Sequence, residues 1–266
     1  MVISMSEALI EIVADPAALR WRAMVPDGSA GVVSLRPVVA LGPDPPPRLE
    51  SGGLELSLHV EPAWRQRGVG SQLLAAARAQ AAGPRLLADV VAGSPGEAFC
   101  RRHGFRHTGS RRHDLLTYCD VHGAWLGELV DTEHAGYRLT HWTGDLSAAA
   151  GVDELLRRPS SPGSALLTVA EAGGGGGPAA FAVAVVGDSD PPRARQYGPA
   201  VLPGHRGHRL ARWVNAALVQ RLRTHHPHVN EIETVTAEDD ARLLAVREHL
   251  GFRPFGRTNR YELVLP

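Results

Sequence analysis

The chain contains no lysine. All 28 of its basic residues are arginine, set against 28 acids, for a formal charge of zero over 266 residues. That balance argues against bulk binding to nucleic acid, which needs a basic surplus. Cysteine is nearly absent too, with only Cys100 and Cys119, so no disulfide framework is expected and a reducing, cytoplasmic setting is. No apolar run reaches the ~20 residues that a membrane-spanning helix needs. The opening stretch MVISMSEALIEIVADP carries Glu7, Glu11 and Asp15 where a secretory leader would be basic. What remains is a chain with 44% hydrophobic residues, enough for ordinary cores and long enough for two domains.

Proline and glycine divide it. GPDPPPRLESGG (42–53) and DSDPPR (188–193) read as loops, and GGGGGP (173–178) as the tip of a hairpin between ALLTVAEA and AAFAVAVV. The two halves then repeat one order of features. The first offers LELSLHV, a basic loop, SQLLAAARAQAA, RLLADVV and GEAFCRRHGF. The second offers RQYGPAV, a basic loop, RWVNAALVQRLR, EIETVTA and ARLLAVREHLGF. Arg65 and Arg206 stand 141 residues apart, Gly104 and Gly251 147 apart, so two landmarks agree within one loop insertion. Leu54, Leu56, Leu58 and Val60 alternate with Glu55, Ser57 and His59, the period of a strand. Leu73, Leu74, Ala77 and Ala81 share one helical face, as do Leu210, Val214, Ala217, Leu218 and Leu222. A boundary near residues 131–136 would divide a first domain, 1–133, from a second, 134–266.

The basic loops carry the chemistry. AWRQRGVGSQLL (63–74) joins a strand to a helix with two arginines, two glycines and no acid. A helix N-terminus offers free N–H groups and partial positive charge, glycine lets a ligand approach the backbone, and arginine adds charge. Together they suit a phosphate, although a solvated turn with incidental arginines would leave the same sequence. A dinucleotide loop would need a third glycine where Leu73 stands, and a P-loop would need Gly-Lys-Ser/Thr.

Arg65-Gln66-Arg67-Gly68-Val69-Gly70 fits Arg-x-x-Gly-x-Gly instead. It resembles the acetyl-CoA pyrophosphate loop of the GNAT superfamily of N-acetyltransferases, and Phe99-Cys-Arg-Arg-His-Gly104-Phe105 resembles that family's second landmark. Val201-Leu-Pro-Gly-His-Arg206-Gly207-His208-Arg209-Leu210-Ala211 and Leu250-Gly-Phe252 occupy the same places in the second half, with Arg209 and Ala211 in the two glycine positions. The chain as a whole therefore resembles a tandem GNAT protein. The resemblance implies an α/β (α+β) fold of two GNAT-like domains, each a twisted, mostly antiparallel mixed sheet flanked by helices. It implies that the fourth and fifth strands splay to admit the pantetheine arm of acetyl-CoA. Residues 65–71, ending at Ser71, and 206–211 would hold the pyrophosphate, and backbone N–H groups near Val60 and Val201 would polarise the thioester. The expected reaction is direct attack by the amine of a small molecule, in a ternary complex, by a monomer or a homodimer. No metal is expected.

Proton-transfer candidates are fewer. Glu55 lies on the probable fourth strand, one position out of phase with the family's glutamate base, and is equally a solvent-facing strand residue. Cys100 stands where many members have an acidic tyrosine. Its neighbours Arg101, Arg102 and His103 suggest a lowered thiol pKa, and a buried packing role competes. In the second half the matching residue is Arg247, so Tyr197 is the acid candidate there. Glu233, with Glu231 on the same strand face, is the base candidate, and a surface role competes for each. The run between the first two strands, where the family builds its acceptor pocket, is short in the first half and holds about one helix, LSAAAGVDELLRR, in the second.

Overall fold

The expected strand over 54–60 is the inner part of a longer one in the computed structural model, which describes residues 10–15, 19–42, 48–81, 85–146, 150–187 and 192–265. The chain divides into two units. Unit 1 comprises Met1–Val38, Gly52–Thr108 and Asn259–Pro266; unit 2 comprises Val39–Ser51 and Gly109–Thr258.

Unit 1 takes up β1 (Glu11–Asp15), β2 (Arg20–Val25), β3 (Gly28–Gly42) and β4 (Arg48–Val60) except for residues 39–42 and 48–51 of these two strands, α1 (Val69–Gln80), β5 (Arg85–Val90) and α2 (Pro95–Arg102). Its strands lie in the order β1-β2-β3-β4-β5. β1, β2 and β3 pair antiparallel, while β4 and β5 run parallel across the α1 crossover. Along β4, Leu54 and Leu56 are buried while Ser57 and His59 are exposed, because only one face of this strand meets the core. Leu73, Leu74 and Ala77 of α1 pack there with Trp21, Ala23 and Val33. Each such side chain removed from water contributes roughly 1.5–3 kcal/mol.

The chain then leaves through β6 (Arg106–Thr117) into unit 2, which adds α3 (Gly123–Asp131), β7 (Tyr137–Gly144), β8 (Ala150–Gly151), α4 (Val152–Arg157), β9 (Ala165–Ala172), β10 (Pro178–Val186), β11 (Arg193–Val201), α5 (Leu210–His225), β12 (Glu231–Ala237) and α6 (Ala241–His249). The order is β7-β9-β10-β11-β12-β6, with one parallel pair, β11 and β12. β9 and β10 are buried over most of their length, which is why they read as unbroken apolar runs rather than alternating ones. Their hairpin closes at the polyglycine tip, with the Ala172 N–H donating to the Gly177 carbonyl at 2.9 Å. One side of this sheet packs Val214, Leu218 and Leu222 of α5. A separate cluster gathers Trp142, Val152, Leu155, Phe181 and Val183.

The last strand, β13 (Arg253–Val264), returns to unit 1, where residues 259–264 pair antiparallel with β5. Each unit is thus a six-strand run with its parallel pair at the fourth and fifth places, and the sixth strand comes from the other half of the sequence. One expectation needs correction. Residues 48–53 are strand rather than loop; Arg48 and Leu49 find backbone partners in Gly151 and Ala150 of β8, which local composition cannot foretell.

Candidate functional site

In unit 1 the parallel strands pair only at Leu54↔Leu86 and Glu55↔Leu87. Beyond them β4 and β5 part, and a cleft of about 1020 Å³ opens between the two strands, α2 and the loop before α1. The loop is a short 3-10 turn, Pro62–Trp64, followed by Arg65 in extended geometry and then two left-handed residues, Gln66 at φ 62° and Gly68 at φ 81°. α1 starts after Gly68 with no side-chain cap and no acid in its first turn. The first helical bond runs from the Gln72 N–H to the Gly68 carbonyl, so the N–H groups of Val69, Gly70 and Ser71 have no acceptor within the helix. α2 is the contrast: the Ser94 hydroxyl accepts from the Glu97 N–H, and Glu97 accepts from the Gly93 N–H at 2.6 Å, a reciprocal cap. One helix end is closed by its own side chains and the other carries no side-chain cap.

The loop's side chains are organised around that end. Arg65 Nε donates to the Val60 carbonyl at 3.0 Å, tying the end of β4 to the loop. Arg67 lies over the Trp64 ring at 5.3 Å. Ser71 Oγ is 3.1 Å from His103 Nε2, and the His103 ring packs on Phe99. Gly70 allows the close packing here: a Cβ on it would sit 3.1 Å from Phe99 Cε2 and 3.6 Å from Val60 Cγ2. The N–H groups at the start of α1, with Arg65 and Arg102 on the cleft lining, make a donor set that fits a phosphate-bearing ligand such as coenzyme A. The Leu56, Leu58 and Val60 side of the cleft suits an aliphatic arm.

Glu55 lines the same cleft, 17% exposed, with Arg36 Nη2 at 3.4 Å. Asp89 also lines it, but both its oxygens are bound by the Arg260 guanidinium at 2.8 and 2.5 Å. Cys100 is buried against the core yet borders the cleft. Its thiol is not activated: burial first, then the nearby Glu97 carboxylate, push it up to about 11. The flanking arginines do not reverse this, since Arg101 is turned to Glu97 and Tyr261.

That Glu97–Tyr261 contact yields a prediction. The Tyr261 hydroxyl donates to Glu97 Oε1 at 2.7 Å. With the Gly93 N–H and Arg101 it holds the Glu97 carboxyl down at about 2, against the opposing effect of burial. A lowered carboxyl pKa stabilises the fold above the ordinary carboxylate range and ceases to do so as pH falls. The thermal midpoint is therefore expected to drop from pH 4.5 towards 2, and Tyr261→Phe to flatten that part of the curve. Scanning calorimetry of both proteins across this window provides the check.

In unit 2 the second basic loop repeats the first backbone with its glycine moved. Arg206 (φ −69°, ψ 154°) matches Arg65 (φ −67°, ψ 152°), and the left-handed residues are Gly207 at φ 89° and Arg209 at φ 58°. Arginine is strained there where glycine is not. Arg209→Gly is accordingly expected to stabilise the protein by about 0.5–1 kcal/mol, measured as a higher denaturation midpoint. α5 likewise begins without a side-chain cap or an acid. His134 Nδ1 contacts the His208 carbonyl at 3.2 Å, and Tyr137 Oη contacts His205 Nδ1 at 3.1 Å. Leu210 is buried, while Val201 and Ala211 are half-buried.

The proton-transfer candidates of unit 2 lie on the neighbouring strands β11 and β12. Tyr197 is half-buried against the Trp142–Phe181 cluster. Glu231 and Glu233 share a strand face, and both pair with Arg193. The His113 contact at 3.4 Å comes first in holding the Glu233 carboxyl low, against burial and with Arg195 and Arg193 assisting; this makes Glu233 a weak base. Arg36, Asp89 and the Ser71–His103 pair had no signal in the sequence. The first depends on a cross-strand register and the others on which strands and helices meet.

Comparison with known proteins agrees with this geometry. Residues 27–107 match the acetyltransferase (GNAT) domain family. The chain has a tandem GNAT fold. It superposes on a tandem GNAT protein from the clavulanic acid biosynthesis pathway with a TM-score of 0.62 at 23% identity, over 93% of this chain and 82% of that one. A GCN5-related N-acetyltransferase from Kribbella flavida gives 0.55 at 15% identity over 97% and 90%, and another from Sphaerobacter thermophilus 0.54 at 15% over 93% and 81%. No curated protein sequence matches the chain. The GNAT domain matched in the first half spans the splayed strands, the Arg65 loop and α2. Among the described residues no helix is long and apolar enough to cross a membrane.

Proposed function

We propose that this GNAT protein transfers the acetyl group of acetyl-CoA to the amine of a small molecule, in the unit 1 cleft, by direct attack in a ternary complex. One observation carries the reading: the gap between β4 and β5 opens directly onto an uncapped helix start flanked by Arg65 and Arg67. Acetyl-CoA supplies, when bound, an acyl carbon already activated toward an amine. The Val69–Ser71 N–H groups with Arg65 hold its pyrophosphate, and Arg65 at the same time fixes the end of β4 through the Val60 carbonyl. A fixed strand end keeps the Val60 N–H available as a donor to the thioester oxygen. Glu55 takes the proton that the amine loses as the N–C bond forms. Cys100 keeps its own proton at neutral pH, as its raised pKa requires, so the leaving thiolate takes its proton from water.

The test is thiol release from acetyl-CoA across a panel of primary amines. Release that depends on the amine supports the reading. Acetyl-CoA binding without amine-dependent release from any acceptor would instead favour a non-catalytic cofactor-binding role, for which Cys100 in place of a tyrosine is the motive.

A further inference from the structure

In unit 2 a charged side chain fills the position that unit 1 leaves open. Cys100 and Arg247 are separated by the same 147 residues as Gly104 and Gly251, and each lies on the helix that ends in Gly-Phe. In unit 1 the short Cys100 side chain borders the cleft between the splayed strands. In unit 2 the register of β11 with β12 runs from Arg193↔Glu231 to Gln196↔Thr234. Just past that point Arg247 reaches across from α6, its Nη2 donating to the Gly198 carbonyl at 3.1 Å. The residue is 1% exposed, and its Nε and Nη1 lack hydrogen-bond partners.

Its surroundings are ionic. Asp114, on β6 opposite Thr234, is fully buried and pairs with Arg112 at 2.9 Å, and Arg112 pairs in turn with Glu248. Asp114 and Asp240 favour the charged form of Arg247; Arg112 and, above all, burial oppose it. Gln196 on β11, Asn215 on α5, and Thr234 and Thr236 on β12 are buried as well. An acyl arm entering here would have to expel the guanidinium, leaving the Gly198 carbonyl unpaired and Asp114 with one positive neighbour fewer.

We propose that the chain binds a single acyl-CoA, in unit 1, and that Arg247 is the built-in occupant of the corresponding gap in unit 2, which keeps the loop backbone of a cofactor site without the room for the cofactor. This rests on the reading of the unit 1 cleft as an acyl-CoA site. Isothermal titration of the full chain with acetyl-CoA is expected to give one site per chain. Arg206→Glu is expected to leave both stoichiometry and Kd unchanged within about twofold. Hydrogen exchange should slow on ligand addition over residues 56–72 and 97–103, and stay as it was over 197–211. Two sites per chain, a tenfold loss of affinity in Arg206→Glu, or protection over 197–211 would each overturn the single-site assignment while leaving acyl-CoA binding intact. No binding at all would remove the reading of unit 1 itself.

Discussion

Arg65→Glu is expected to weaken acetyl-CoA binding by about 100-fold. Arg65 does two things at once: its Nε holds the Val60 carbonyl at 3.0 Å, and its charge stands beside the uncapped start of α1. A hydrogen bond to a charged group contributes about 1.5–3 kcal/mol. Reversing the charge removes that contact and adds repulsion toward a phosphate, so a loss of about 3 kcal/mol, or roughly 100-fold in Kd, follows. Arg65→Lys separates the two roles. It keeps the charge but loses the planar fork that ties β4, and should cost about tenfold. Arg65 is exposed and Val60 only half-buried, so both variants are expected to fold. Titration calorimetry gives the two affinities, and equal affinity in Arg65→Glu and the unaltered protein would remove Arg65 from the site.

Glu55→Gln should lower kcat by about 100-fold, the lower range of what a positioned base contributes, and leave the affinity for acetyl-CoA within about twofold. The substitution keeps size and hydrogen-bonding capacity while removing the ability to accept a proton. Two carboxylates line the cleft, and Asp89 is committed at both oxygens to Arg260. That pair bridges β5 and β13, so Asp89→Asn is expected to act on stability more than on turnover. Steady-state rates with an accepted amine distinguish the two. An unchanged kcat in Glu55→Gln would leave Glu55 as nothing more than the ion-pair partner of Arg36.

Much of unit 1 was legible because its signals are local. The alternation from Leu54 to Val60, the helical face of Leu73, Leu74 and Ala77, and the Arg65–Gly70 spacing each depend on residues within a few turns of one another. The correspondence of the two halves was legible as well, down to the matching of Arg65 with Arg206 in backbone geometry. What escaped the sequence depends on distant pairing. β4 extends back to Arg48 because of β8, more than a hundred residues downstream. α3 was not expected at all: Gly123–Asp131 buries only Leu126, and so short an apolar face leaves little periodicity. The environment of Cys100 read as basic because Arg101, Arg102 and His103 follow it, yet burial and Glu97 govern its thiol. Arg247 shows the same limit from the other side. A charged residue one position from Val246 gives no sign that it will be fully enclosed.

The exchange of final strands has a consequence for how the protein is made. Residues 259–264, which close the unit 1 sheet beside β5 and bring Tyr261 to Glu97, leave the ribosome after every residue of unit 2. Domains generally fold in the order of their synthesis, but here the order is inverted. Unit 2 has all its segments, residues 39–51 and 109–258, while unit 1 still waits for its sixth strand. The half whose Arg65 loop appears first in the nascent chain is the last to be finished, and its cleft reaches its final form only when residues 259–264 have arrived.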